Sequence, residues 1–128
     1  MIVKTIKSYK RIEAIDITNT ISKEAENIGN GIMLIYVPHT TAAITINEAY
    51  DPSVMDDLME KVSSLVPYSK NYEHLEGNSD AHIKSSLIGN SVQLIVENGN
   101  LVLGRWQGIF FLEFDGPRDR KIFIKALR

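Results

Sequence analysis

Apolar positions recur about every second residue from Met1 to Ile17 (Ile2, Ile6, Ile12, Ala14, Ile15, Ile17). That spacing predicts two strands around a turn near Ser8–Lys10. In "ITNTISKEAENIGNG" the period lengthens: Ile21, Ala25 and Ile28 share one helical face. Thr18 or Asn19 can cap its start, and Gly29 or Gly31 can end it. "GIMLIYVP" is a continuous apolar run closed by proline, which reads as a buried strand, and "TAAITIN" continues as a strand with alternating faces. "YDPSVMDDLMEKVSSLVP" is the clearest helix, with Asp51 as N-cap, Pro52 in the first turn and a stripe of Val54, Leu58, Val62 and Leu65. Asn78 or Ser79 can start a short helix over "DAHIKSSLIG" that ends at Gly89. "SVQLIVENGNLVLG" predicts a hairpin turning at Asn98-Gly99, and "WQGIFFLEFDGPRDRKIFIKAL" predicts two strands around a Gly-Pro turn. The expected fold is α+β, a mostly antiparallel sheet or sandwich with two or three helices, in a single domain over residues 1–128. The chain carries no repeat, linker or low-complexity segment.

Composition narrows the class. A chain of 128 residues can bury a real core, and 44% hydrophobic with 23% charged residues is an ordinary globular balance. The net charge of −2 lacks the basic excess of a dedicated nucleic-acid binder. The absence of cysteine excludes disulfides, thiolate metal sites and a cysteine nucleophile, and leans towards a reducing compartment. The first residues lack the apolar core of a signal peptide, and no apolar run reaches the roughly 20 residues of a membrane helix. The expectation is a soluble cytoplasmic domain with neither nucleic acid nor membrane as partner.

The candidate chemistry gathers around three histidines. His74 and His82 fall within "YEHLEGNSDAHIKSSLIGNS", and His39 follows the proline that closes the apolar run. Three imidazoles converging from separate elements at about 2.0–2.1 Å would hold zinc and leave its fourth position open. Their spacing matches no compact motif, and on spacing alone three unrelated hydrogen-bonded histidines are the commoner case. Glu73, Glu76 and Asp80 flank the pair as ligands, orienting groups, a base or a solvated acidic loop. Asn78 and Ser79, at a helix start, leave backbone N–H groups free for phosphate or merely cap the helix. Further along, Trp106 beside Gln107 is either core or a stacking platform, and Glu113 is either solvent-facing or turned into a site. Arg118 and Arg120 can grip phosphate or sit solvated after their turn.

Four blocks, "PHTTAAITINEAYDPSVMDDL", "YEHLEGNSDAHIKSSLIGNS", "GRWQGIF" and the acidic strand leading into "DGPRDR", together resemble the YjbQ family, the secondary thiamine-phosphate synthase group. The resemblance runs from about Pro38 to the C-terminus, with Arg105 standing where the family has threonine. It implies a compact α+β fold assembled as a homotrimer, with a polar site at subunit contacts. Residue by residue it carries a metal role to His39, His74 and His82, with zinc or another divalent metal as cofactor. Asn47, Glu48, Glu76, Trp106, Gln107, Glu113 and Arg118 match its other polar blocks. The activity it implies is a low-turnover transferase that joins a hydroxymethylpyrimidine pyrophosphate to a thiazole phosphate and releases pyrophosphate. In that reading Glu48, Glu76 and Glu113 are catalytic, and Asn47, Asn78, Ser79, Trp106, Gln107 and Arg118 bind a small phosphorylated or anionic metabolite. Three histidines suit zinc better than Mg²⁺, which prefers oxygen. A metal-dependent hydrolase or lyase using Glu48 or Glu113 as base, and a non-catalytic trimeric metal or metabolite binder, are the alternatives.

Overall fold

A computed structural model describes residues 1–69 and 71–128, and shows an α+β domain of two antiparallel sheets and three helices among those residues. The strands are β1 (Ile2–Lys7), β2 (Glu13–Asp16), β3 (Gly31–Tyr36), β4 (Ala42–Glu48), β5 (Ser91–Glu97), β6 (Asn100–Leu101), β7 (Gln107–Glu113) and β8 (Asp119–Leu127). The helices are α1 (Thr18–Ile28), α2 (Pro52–Leu65) and α3 (Ser79–Ile88). The larger sheet runs β1-β8-β3-β5-β6 and the smaller β2-β7-β4.

Two cores separate three layers. Met33, Ile35, Leu94, Val96, Ile122 and Ile124 of the larger sheet meet Ile44, Ile109 and Phe111 of the smaller one, with Ile21, Ala25 and Ile28 of α1 completing the cluster. The other face of the smaller sheet (Ala43, Phe110, Leu112) packs with Phe114 against Met55 and Met59 of α2 and Ala81 of α3. The strands of the smaller sheet are therefore covered on both sides, which explains why β7 reads as an unbroken apolar run.

Several expectations need correction. β1 with β2, and β7 with β8, do not form hairpins, because in each pair the chain crosses from one sheet to the other. The two crossings lie side by side: Ser8 N–H donates to the carbonyl of Arg118 at 3.0 Å, and Gly116 N–H to that of Arg11 at 3.0 Å. β3 is not buried on both faces. Met33 and Ile35 point inward, while Ile32, Leu34 and Tyr36 are exposed on a sheet face that no other layer of the chain covers. The buried stripe of α2 centres on Met55 and Met59, and Leu65 is exposed. Helix α1 is started by neither Thr18 nor Asn19. Asp16 Oδ1 takes both the N–H (2.9 Å) and the hydroxyl (2.6 Å) of Thr18. The hairpin at Asn98-Gly99 forms as the sequence predicts, with both residues at positive φ.

Gly108 marks the tightest packing near β7. A Cβ there would meet Ala49 Cβ at 2.5 Å and Thr18 Oγ1 at 2.9 Å, and that hydroxyl also accepts Ile109 N–H at 2.9 Å. Gly108→Ala is expected to destabilise the fold by about 1–3 kcal/mol through overpacking. Thermal melting checks it, and an unchanged midpoint would mean that the strand has room to shift.

Candidate functional site

The β3–β4 loop, the start of α3 and the loop after β7 enclose a polar pocket of about 590 Å³. Its walls include His39, Thr40 and Thr41 from the first, Glu76, Gly77, Asn78 and His82 from the second, and Asp115, Arg118 and Arg120 from the third region. Asp115 ties the last two together. Its Oδ2 accepts from Asn78 Nδ2 at 2.8 Å and from Arg118 Nη2 at 3.0 Å, and its carbonyl accepts from Arg118 Nε at 2.9 Å.

Behind this wall lies a buried ion pair. Glu113 and Arg120 are 0% and 3% exposed. Glu113 Oε1 accepts from Arg120 Nε at 2.8 Å and from the Ser8 hydroxyl at 2.7 Å. Oε2 accepts from Asp115 N–H at 3.0 Å and from Arg120 Nη2. Nη2 also reaches Thr41 Oγ1 at 2.8 Å, which fixes the β3–β4 loop, and Ser8 Oγ accepts Arg118 N–H at 2.9 Å. Burial pushes the Glu113 carboxyl up, but donation from Arg120, Ser8 and the Asp115 N–H outweighs it and holds the group below its ordinary 4.5. Its oxygens are thus taken up inside the wall, and the expected catalytic role for Glu113 gives way to a positioning one.

His39 and His82 share the pocket. His39 Nε2 accepts Lys121 N–H at 2.9 Å, which places the imidazole proton on Nδ1. Burial, then the charge of Arg120, lower its pKa from 6.5 against the opposing pull of Glu113. The ring is therefore neutral at neutral pH. His74 lies beside His82 with centroids 5.3 Å apart and rings nearly perpendicular, and its Nε2 is 3.7 Å from Glu76 Oε2. Among the described residues no three His, Asp or Glu side chains stand close enough to hold a metal ion. With His39 Nε2 engaged by backbone, the three-histidine zinc set is not assembled in the single chain.

Helix α3 starts without a side-chain cap. Ala81 and His82 N–H reach the Asn78 carbonyl at 3.0 and 3.3 Å, while Ser79 and Asp80 N–H have no partner among the described residues. Asn78 Oδ1, the atom that would ordinarily cap them, is buried and bonds nothing among the described residues. Asp80 is not a ligand candidate: it is fully buried, bonded to Arg11 (2.9 and 3.3 Å) and to the buried Lys84 (2.9 Å). Desolvation opposes its charge, and those two cations still hold its carboxyl below 3.8.

The remaining predicted residues are elsewhere. Asn47 and Glu48 pair with Gly108 and Gln107 at the far end of β4–β7, six residues or about 20 Å from Ala42 and Glu113. There Glu48 Oε2 accepts Asp51 N–H at 3.2 Å, Asn47 Oδ1 accepts Glu48 N–H at 2.8 Å, and Gln107 Oε1 accepts Gly104 N–H at 2.8 Å. Trp106 is 45% exposed, edge-on to Tyr50 at 4.9 Å and under the Arg105 guanidinium at 4.6 Å. These four do not join the histidines within one chain. Asp115, Thr41, Ser8 and Ser85 were missed by sequence reasoning. Asp115 carried only a turn signal, and nothing local marked the others.

A family model described as UPF0047 protein YjbQ-like matches residues 3–128. A UPF0047 protein of Methanocaldococcus jannaschii is 56% identical over 124 residues, covering 95% of this chain and 90% of that one. YugU of Bacillus subtilis is 50% identical over 125 residues, covering 95% of each. The crystal structure of an uncharacterized YjbQ/UPF0047-family protein from Clostridium acetobutylicum matches with a TM-score of 0.95 at 48% identity, covering 99% of this chain and 100% of that one. The hypothetical protein TT1486 of Thermus thermophilus gives 0.93 at 37% identity, with coverages of 99% and 100%. These relatives carry family designations alone. They support neither the pyrophosphate-releasing synthase nor its alternatives, the metal-dependent hydrolase or lyase and the non-catalytic trimeric binder, and the expected function is corrected accordingly. No helix among the described residues is long and apolar enough to cross a membrane.

Breaking the buried pair tests the wall. Glu113→Gln leaves Arg120 charged and poorly matched, and is expected to cost about 3–5 kcal/mol at neutral pH. The stabilisation from a carboxylate with a lowered pKa is complete above its unfolded value and is lost as pH falls through the folded one. The difference between wild type and variant should therefore narrow below about pH 4. A constant gap in denaturant melts across that range would contradict the assignment.

Proposed function

The chain is a member of the YjbQ-like UPF0047 family, and on that premise we propose that its pocket receives a small phosphorylated or otherwise anionic molecule and acts on it by imidazole acid–base chemistry. One observation carries the reading: a helix start without a side-chain cap stands at the same pocket as two arginines and two imidazoles. Backbone N–H groups and the helix dipole favour anions there. Arg118 is half exposed and can turn its free Nη1 to a ligand, while Arg120 is held in place by Glu113. His39 offers Nδ1–H as a hydrogen-bond donor to the anion, which leaves His82 as the imidazole that exchanges a proton. Glu76 stands beside His74 at the rim.

Titration with inorganic phosphate tests this. Wild type should bind it, and Arg118→Ala should weaken binding about tenfold or more through loss of a charged hydrogen bond. The His39 ring should titrate below 6.5 in free protein and shift upward when phosphate is present, because an adjacent anion favours imidazolium. Phosphate binding indifferent to Arg118, or a His39 midpoint that phosphate leaves unmoved, would overturn the reading.

A second reading concerns assembly. The outer face of the larger sheet presents Val3, Ile32, Leu34, Tyr36, Ile95 and Leu127, with Phe123 half-buried among them. Lys121 and Lys125 on β8 and Glu97 on β5 stand among them with both signs of charge, which an identical copy can answer. We propose homotrimer formation through this face. Because Lys121 N–H is bonded to His39, a second copy there would lie beside the pocket. Sedimentation should give a mass near three times 14.4 kDa for wild type and a monomer for Leu34→Glu. A monomeric wild type would sink it.

A further inference from the structure

A smaller cavity of about 240 Å³ adjoins the pocket and shares His39, Thr40 and His82 with it. Its remaining walls are Ala42, Asn90 and two serines of α3, Ser85 and Ser86. The serines behave differently. Ser86 Oγ donates to the His82 carbonyl four residues back at 3.1 Å, the usual way a helical serine satisfies itself. Ser85 is 7% exposed, and its Oγ bonds nothing among the described residues. A hydroxyl so buried ordinarily has a partner, and this one lines the cavity. The groups around it carry no fixed charge: two imidazoles, the hydroxyls of Ser85 and Thr40, and the Asn90 amide. No arginine, lysine or carboxylate enters this wall, whereas the adjoining pocket holds Arg118, Arg120, Asp115 and Glu76.

Resting on the anion reading above, we propose that the small cavity is a hydroxyl subsite, so that the ligand is a hydroxylated phosphate ester. Its phosphate lies in the adjoining pocket and one of its hydroxyls hydrogen-bonds Ser85 Oγ. Neutral donors and acceptors suit an alcohol and not a second charged group. At roughly 30 Å³ per water-sized unit, 240 Å³ accommodates a short hydroxylated chain and not an aromatic ring system. A hydroxyl matched to a buried polar atom discriminates strongly, since the analogue without it leaves that atom unpaired.

The probes are inorganic phosphate, ethyl phosphate and glycerol 1-phosphate, measured by calorimetry on wild type and Ser85→Ala. Wild type should bind glycerol 1-phosphate about tenfold or more tighter than ethyl phosphate. Ser85→Ala should lose that preference, keep its affinity for inorganic phosphate and melt no lower than wild type. Equal affinity of wild type for the two esters, or an undiminished preference in Ser85→Ala, overturns the subsite while the anion reading stands. Failure of all three probes to bind wild type overturns both.

Discussion

The Glu113–Arg120 pair is the constraint on which the arrangement turns. Glu113 ends β7 in the smaller sheet, and Arg120 opens β8 in the larger one, so the bond ties the two sheets where the chain crosses between them. Two desolvated charges would be costly without further partners, and here both Glu113 oxygens and the Nε and Nη2 of Arg120 are met. Ser8 comes from the end of β1, Thr41 from the loop after β3, and the Asp115 N–H from the crossing itself. Three chain segments that are remote in sequence are thereby brought to one wall. Close packing at Gly116 belongs to the same feature, since a Cβ there would meet Ser8 Oγ at 2.7 Å and Glu113 Cγ at 2.8 Å. The pocket inherits its shape from this junction. Arg118 follows the crossing, Asp115 clamps it, and Asn78 is reached from the other side through Asp115.

How far the site could be read from sequence follows from this geometry. Local signals carried through. The α2 start at Asp51-Pro52, the Asn98-Gly99 turn and the α3 span are all properties of a few neighbouring residues. The crossings did not carry through, because a Gly-Pro turn between two apolar runs looks alike whether its strands pair or part into different sheets. Glu113 was posed as a choice between solvent and a site, and the third outcome depended on Arg120, Ser8 and Thr41, which nothing in the local pattern connects to it. Resemblance, for its part, grouped residues that the single chain holds apart. Trp106, Gln107, Asn47 and Glu48 share the far end of the β4–β7 ladder, while His39, His82 and Arg118 share the near one.

The apolar run of β3 deserved a different reading for a physical reason. An unbroken apolar strand signals burial on both faces, yet one face of β3 is bare in the single chain. Ile32, Leu34 and Tyr36 instead face solvent. An exposed patch of this kind on a small domain is the ordinary mark of an interaction surface.

Where polar groups go unsatisfied is equally informative. The buried side-chain atoms without a partner among the described residues are Asn78 Oδ1 and Ser85 Oγ, and both belong to α3 or its cap. Elsewhere the same chain satisfies far more demanding groups, including the buried Asp80 with Arg11 and Lys84, and Glu113 with four donors. A fold that solves those cases has no general difficulty in pairing polar atoms, so the exceptions call for a local cause. An unmet buried hydroxyl or amide oxygen costs about 1–3 kcal/mol. Both lie where α3 meets the two adjoining cavities, and Asn78 Oδ1 is next to backbone N–H groups that also lack partners among the described residues. Replacing Ser85 by alanine, a better helix former, would remove one of these costs, and nothing in the packing opposes it. That the cost stays concentrated along one helix, facing one pair of cavities, is the strongest internal argument that the donors and acceptors there are kept for a molecule that arrives from outside.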